Sequence, residues 1–294
     1  MPKIKHPDWL KITAPSDKTM DRVKRLLDRG GLHTVCEGAN CPNIGECFAN
    51  RTCTFMILGN ICTRDCRFCA VEHGHPEPIN LDEPAAIACT AKKLNLKHVV
   101  ITTVTRDDLP DGGAGQFVAT IGAIHRELPK ASIEVLISDL KGQLEPLVEI
   151  IQARPDIINH NIETVPRLYK IVRPQASYSR SLQILEWVGS QGGGIMTKSG
   201  LMLGLGETFE EIVEVLHDLK RVGCDIVTLG QYLRPSPRHV PIDRFVHPDE
   251  FKKLEQIGLE MGFQAVSAGP LVRSSYNASH TYESILHKQT KEEK

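Results

Sequence analysis

Nine cysteines occur in this 294-residue chain, and seven of them lie between positions 36 and 69. Cys62, Cys66 and Cys69 stand in "ICTRDCRFC" at a C-x3-C-x2-C spacing, and Cys36, Cys41 and Cys47 stand in "CEGANCPNIGEC" at C-x4-C-x5-C. Thiolates held this close repel one another unless a cation neutralises them, so each triplet points to zinc or to an iron–sulfur cluster. A closed zinc site needs four ligands, and three cysteines with His73 or His75 would supply them. Buried thiols acting as small hydrophobes are the alternative for Cys36, Cys41 and Cys47. Cys89 and Cys224, far from both groups, read as packing residues.

The elements that must hold these residues alternate along the chain. Short apolar runs at 53–58, 98–104, 132–137, 156–161, 197–204 and 225–233 are separated by helical patterns near 82–95, 114–127, 143–152, 164–171, 179–190 and 207–222. Such alternation indicates parallel strands with crossover helices, and near-continuous apolar strands belong to sheets covered on both faces. The α/β fold class expected is therefore a partial (β/α)6 TIM-like barrel with N- and C-terminal extensions; a doubly wound open sheet is the alternative. Residues 1–50 read as an extension with one helix, Ser16 as its N-cap, and the triplet Cys36, Cys41 and Cys47; 51–233 form the barrel; 234–294 form a C-terminal extension. That last segment begins with the Pro-rich "RPSPRHVP" and holds a helix at 248–261, a possible strand "FQAVSAG" and a Lys/Glu-rich end expected to fray. The C-x3-C-x2-C follows the first strand, on the carboxyl side where barrel active sites form.

Composition narrows the partners. Thirty-five Lys and Arg balance 36 Asp and Glu, so no global field favours nucleic acid or a membrane surface. No apolar run approaches the ~20 residues of a membrane span, and residues 1–16 lack the pattern of a signal or transit peptide. A cytoplasmic protein with reduced thiols is the expectation.

The triplet at 62–69, with the aromatic Phe68 before its last cysteine, resembles the radical S-adenosylmethionine (SAM) superfamily. The other triplet, together with "RSSYNA" at 273–278, is similar to the lipoyl synthase family. The similarity continues through "CTFMILG" (53–59), "VITTVTRDDLPDGGA" (100–114), "NHNIETVPRLY" (159–169), "TKSGLMLGLGET" (197–208) and "LGQYLRPSPRHVP" (229–241). Two departures stand out: Cys53 replaces the family's usual alanine, where a small buried thiol or a spare ligand could result, and "VLISDL" (135–140) replaces the usual "VLIPDF".

The resemblance implies two [4Fe-4S] clusters. One, on Cys62, Cys66 and Cys69, leaves an iron open to SAM, which is cleaved to a 5′-deoxyadenosyl radical; the other, on Cys36, Cys41 and Cys47, takes an oxygen ligand from Ser275, or less plausibly Ser274, and supplies sulfur. The activity implied is insertion of two sulfurs at C6 and C8 of an octanoyl chain on a carrier-domain lysine, carbons whose protons no ordinary base could remove. The carriers implied are E2 subunits of 2-oxoacid dehydrogenases or the glycine cleavage H protein, with a ferredoxin or flavodoxin as electron donor and iron–sulfur carrier proteins as suppliers. Expected SAM contacts are Phe68, Thr103, Asp107, Asn161 and Glu163 as acceptors for ribose hydroxyls, Lys198, and Tyr232 near adenine. Locally, Glu163 could instead cap the next helix, Lys198 could be a solvated side chain where it does not pair with a carboxylate at the barrel mouth, and Arg234 and Arg238 are either carrier contacts or a solvated loop. A biotin synthase-like sulfur inserter and a two-cluster electron-transfer protein are the competing readings.

Overall fold

The computed structural model describes residues 7–10, 17–50, 52–191 and 193–292. The expected cap Ser16 lies outside them. In chain order the elements are α1 (Asp17–Gly30), β1 (His33–Thr34), α2 (Val35–Gly38), α3 (Ile44–Ala49), β2 (Thr54–Ile57), β3 (Ile61–Cys62) and β4 (Glu72–His73). There follow α4 (Glu83–Leu94), β5 (His98–Thr103), α5 (Ala114–Glu127), β6 (Ser132–Leu136), α6 (Leu144–Gln152), β7 (Ile157–Asn159), α7 (Tyr169–Val172) and α8 (Tyr178–Gln191). The chain continues through β8 (Met196–Leu203), α9 (Phe209–Arg221), β9 (Ile226–Gln231), α10 (Pro248–Glu260), β10 (Ala265–Gly269) and α11 (Ala278–Glu292).

The main sheet runs β1-β2-β5-β6-β7-β8-β9-β10. β1 is antiparallel to β2, and every later pair is parallel. The six expected βα strands are thus joined by a seventh parallel strand, β10, which the "FQAVSAG" run supplies to the edge of β9. Burial of the whole of β2 and β9 accounts for the unbroken apolar runs that sequence reading relied on. Helix boundaries follow local chemistry. α9 opens with a reciprocal capping box between Thr208 and Glu211, and α4 stops at Asn95 in the left-handed region. The helix expected at 164–171 begins only at Pro166, as a 3-10 turn (Pro166–Leu168) that runs into the four residues of α7, because Val165 is extended before the proline.

The apolar interior falls into one cluster under β2, β5 and β6 and a second under β8, β9 and β10. A third small group closes the amino end of the barrel, where Ile285 of α11 packs on Ile157, Met196 and Ile226, the first residues of β7, β8 and β9. Tyr282 of the same helix bonds Asp156 through its hydroxyl at 2.8 Å. These anchors explain why the charged C-terminal stretch, expected to fray, continues as helix to Glu292.

Above that plug lies a buried ionic group. Lys198 of β8 is 2% exposed, and its Nζ is 2.9 Å from both carboxylate oxygens of Glu134 of β6. Burial alone would raise the Glu134 carboxyl, but Lys198 and His98 outweigh it and hold it at about 2. Lys198 is therefore paired in the barrel interior, near the strand starts, and does not reach the cavity where a SAM contact was expected.

Candidate active site

Both cysteine triplets line one cavity of about 360 Å³ at the carboxyl end of the barrel strands. Cys62 ends β3, the short strand that follows β2, and its sulfur accepts from the backbone N–H groups of Arg64 at 3.4 Å and Thr105 at 3.3 Å. Burial raises the Cys66 thiol, an effect the Arg173 charge partly offsets, and burial pushes Cys69 up to about 12. In the other triplet burial pushes Cys36 to about 11 and Cys47 to about 12. These thiols hold their protons until a metal displaces them, so cluster assembly must release protons.

The second triplet is closed from a distance. Cys36 lies on α2 and Cys47 on α3, and Asn43 between them donates through Nδ2 to the carbonyl of Leu271 at 2.7 Å, across 228 residues of sequence. Tyr276 reaches Glu46 of α3 through its hydroxyl at 3.2 Å. Gly230 permits this docking, since a Cβ there would stand 2.1 Å from the carbonyl oxygen of Val272. The loop so held brings Arg273, Ser274 and Ser275 to the cavity wall. Ser274 Oγ already accepts from Asn161 Nδ2 at 2.8 Å. Gly200 leaves room for that pair, because a Cβ would meet Asn161 Oδ1 at 3.0 Å and Ser274 Oγ at 3.3 Å.

Of the expected SAM contacts, Phe68, Thr103, Asn161, Glu163 and Tyr232 line the cavity. Thr103 bonds its hydroxyl to the carbonyl of Val104 at 2.7 Å, and Tyr232 to that of Val240 at 2.8 Å. Glu163 adopts a left-handed φ of 68° and accepts from Asn161 Nδ2 at 3.1 Å. It caps no helix; burial raises its carboxyl, with Arg173 and Asn161 pulling the other way. Asp107 does not join the cavity. Arg64 takes its two oxygens at 2.6 and 2.9 Å, and the same guanidinium holds Asp139 at 2.7 Å. Burial pushes Asp139 up, but Arg64 dominates and keeps it at about 2.

Sequence reading passed over Arg64 and Arg173. Arg64 stands between Cys62 and Cys66, a position that itself was a signal. Arg173 had none, since its partners are the backbone carbonyls of Asn161 and Ile162 at 2.9 and 3.1 Å. Its Nε and Asn161 Oδ1 are buried without a hydrogen-bond partner, which suits a polar ligand in the cavity. Among the described residues no three His, Cys, Asp or Glu side chains converge on a single-ion site. His73, offered above as a zinc ligand, is exposed and 3.7 Å from Asp65. Six thiols around one roomy cavity, with unpartnered polar atoms beside it, fit polynuclear clusters and a polar cosubstrate. Cys53 is a buried thiol on the same wall, raised well above its ordinary value by burial.

His160 is also on the wall. Its Nδ1 faces the carbonyl of Ile137 at 3.0 Å, which can only accept, so this nitrogen carries the proton and Nε2 accepts from Ser181 Oγ at 2.9 Å. Burial, helped by the Arg173 charge, lowers the ring from 6.5 to about 4. Between these values the unfolded chain binds the extra proton, so this contribution to stability is complete above pH 6.5 and declines as pH falls to about 4. The loss amounts to about 3 kcal/mol at ~1.4 kcal/mol per unit. Urea unfolding from pH 7 to 4.5 should show a shallower decline for His160→Gln than for the wild type.

The sequence profile of the radical SAM superfamily matches residues 56–219. Lipoyl synthase of Caldanaerobacter subterraneus subsp. tengcongensis is 54% identical over 94% of this chain and 96% of its own length. That of Rubrobacter xylanophilus is 54% identical over 94% of this chain and 86% of its own. Among solved structures, the FeFe-hydrogenase maturase HydG of Carboxydothermus hydrogenoformans aligns with a TM-score of 0.58 at 16% identity, covering 91% of this chain and 68% of that one. Methylornithine synthase aligns at 0.56 with 15% identity, covering 86% and 75%. These two likenesses concern the fold alone, an α/β barrel of parallel strands. Identity above half along nearly the full length decides the family: the chain belongs to the lipoyl synthase family of radical SAM enzymes.

Proposed function

We propose that the cavity divides one reaction between two sites: Cys62, Cys66 and Cys69 hold the cluster that works with SAM, and Cys36, Cys41, Cys47 and Ser275 hold the cluster that serves as sulfur substrate. The chain is a sulfurtransferase that inserts two sulfur atoms, at C6 and C8, into a protein-bound octanoyl-lysine. The bound radical cluster and SAM supply a 5′-deoxyadenosyl radical, the reagent that unactivated C–H bonds demand.

The residues provide binding, orientation and exclusion of water. Arg64 ties the first cysteine loop to Asp107 and Asp139, fixing where the three thiols face. Glu163 and Asn161 are acceptors for ribose hydroxyls, Phe68 and Thr103 line the cosubstrate's side of the cavity, and Tyr232 stands by for adenine. Arg173, with its unpartnered Nε beside Glu163 and Cys66, suits a carboxylate. At the other triplet Ser275 is the better oxygen ligand, because Ser274 is already engaged by Asn161. We infer that a single oxygen ligand, released on protonation, would give the cluster one point at which dismantling begins.

One observation carries this reading: a single cavity lined by both triplets, with the Arg273–Ser275 loop docked over the second through Asn43–Leu271. Ser275→Ala should retain 5′-deoxyadenosine formation within about threefold and lose the second sulfur insertion, read as monothiolated peptide by mass spectrometry. Both insertions at the wild-type rate would remove the serine from the ligand set.

Octanoylated carrier domains are the substrates, and E2 subunits or an H protein are the specific carriers we infer. A ferredoxin or flavodoxin fits the need for electrons toward the low end of the roughly −700 to +450 mV range of iron–sulfur centres, and iron–sulfur carriers would restore the consumed cluster. Among the described residues no helix is long and apolar enough to cross a membrane, in keeping with a cytoplasmic setting.

A further inference from the structure

The Pro-rich segment after β9 has a role that neither triplet explains. It folds back on the loop of the radical site. The N–H of Val240 donates to the carbonyl of Arg67 at 2.9 Å, and His239 Nε2 lies 2.9 Å from the carbonyl oxygen of Cys69. The other ring nitrogen, Nδ1, is 2.9 Å from Ser236 Oγ. A carbonyl oxygen only accepts, so Nε2 carries the proton and Nδ1 accepts from the serine hydroxyl. The segment itself is braced: Arg234 donates through Nε to the carbonyl of His239 at 2.9 Å and through its terminal nitrogen to that of Pro237, while Tyr232 donates to the carbonyl of Val240 at 2.8 Å.

We propose that His239, oriented by Ser236, is a positioning residue that latches the carbonyl of Cys69 and so holds the third cysteine of the radical site in register with the other two. Internally, that end of the loop has the turn bond from the N–H of Cys69 to the carbonyl of Cys66 at 2.9 Å. The opposite end is fixed by Arg64. Without the histidine the Cys69 carbonyl would turn to water, and the turn would open more often. Arg234, left above as a carrier contact or a solvated side chain, becomes the brace of this latch.

The inference rests on reading Cys62, Cys66 and Cys69 as the radical site, and its test separates the two. Hydrogen exchange of the cluster-free full-length chain reports the latch alone. In His239→Ala the amides of residues 66–70 should exchange about three- to tenfold faster, the loss of one hydrogen bond. His239→Gln, whose amide can donate to the same carbonyl, should recover most of the protection. Ser236→Ala should give a smaller acceleration, and Arg238→Ala, exposed beside them, none. In the reconstituted enzyme the same order should appear as a rise in KM for SAM with kcat for 5′-deoxyadenosine formation less affected. Equal exchange and KM in His239→Ala and wild type, or no difference between His239→Gln and His239→Ala, would overturn the latch. Failure of the site reading would appear elsewhere, as undiminished SAM cleavage by Cys69→Ala.

Discussion

Replacing Cys66 by alanine should abolish 5′-deoxyadenosine formation, by about three orders of magnitude or more, equivalent to at least ~4 kcal/mol of barrier. Two thiols in the loop cannot hold the cluster that three hold, and no other protein group can cleave SAM by one electron. The fold should survive, because Cys66 lies at the cavity rather than in either main core cluster. Iron content should fall by about half, the other triplet being untouched, as expected for two separate cluster sites. Chromatography of the nucleoside products after anaerobic reconstitution measures the first effect, and iron analysis the second. Normal 5′-deoxyadenosine output from Cys66→Ala would place the radical chemistry elsewhere.

Replacing Cys47 should have the opposite profile. 5′-Deoxyadenosine should continue to form within about threefold of wild type, since the radical loop is held by Arg64, Asp107 and Asp139 and owes nothing to α3. Sulfur insertion should fall below detection, a loss of about three orders of magnitude or ~4 kcal/mol. The contrast matters because both triplets open into the same cavity, and substitutions that merely damaged the cavity would lower both activities together. Sulfurated peptide from Cys47→Ala would deny the triplet its part as sulfur source.

Much of this organisation was legible in the residues. The strands were visible because parallel strands buried on both faces have no polar alternation to hide them, as the fully buried runs of β2 and β9 illustrate. The cysteine spacing pointed to both candidate sites, because residues close in sequence stay close in space, and both triplets do line one cavity. β10 was less plain: Ala265 to Gly269 is short and only partly buried, as befits an edge strand. Long-range pairing was illegible. Nothing near Lys198 announces Glu134, 64 positions away, and nothing near Asp107 tells that Arg64, 43 positions earlier, will neutralise it. Both residues therefore read as open cofactor contacts until their partners were seen. That the 273–278 segment returns to Cys36, Cys41 and Cys47 was expected through the family resemblance alone, since "RSSY" by itself reads as a polar turn, and the Asn43–Leu271 bond that seats it has no signal in the sequence.

The origin of the inserted sulfur is the most direct test. The protein would be reconstituted with ³⁴S-sulfide, freed of excess sulfide, and given SAM, a low-potential reductant and an octanoyl-lysine peptide in medium containing ³²S-sulfide, for one turnover. The expected product carries two ³⁴S atoms for two molecules of 5′-deoxyadenosine, and Cys47→Ala forms the nucleoside with no mass gain. A product carrying ³²S, or nucleoside formation by the wild type with no sulfur gained, would contradict the division of the cavity into a radical site and a sulfur-donating site.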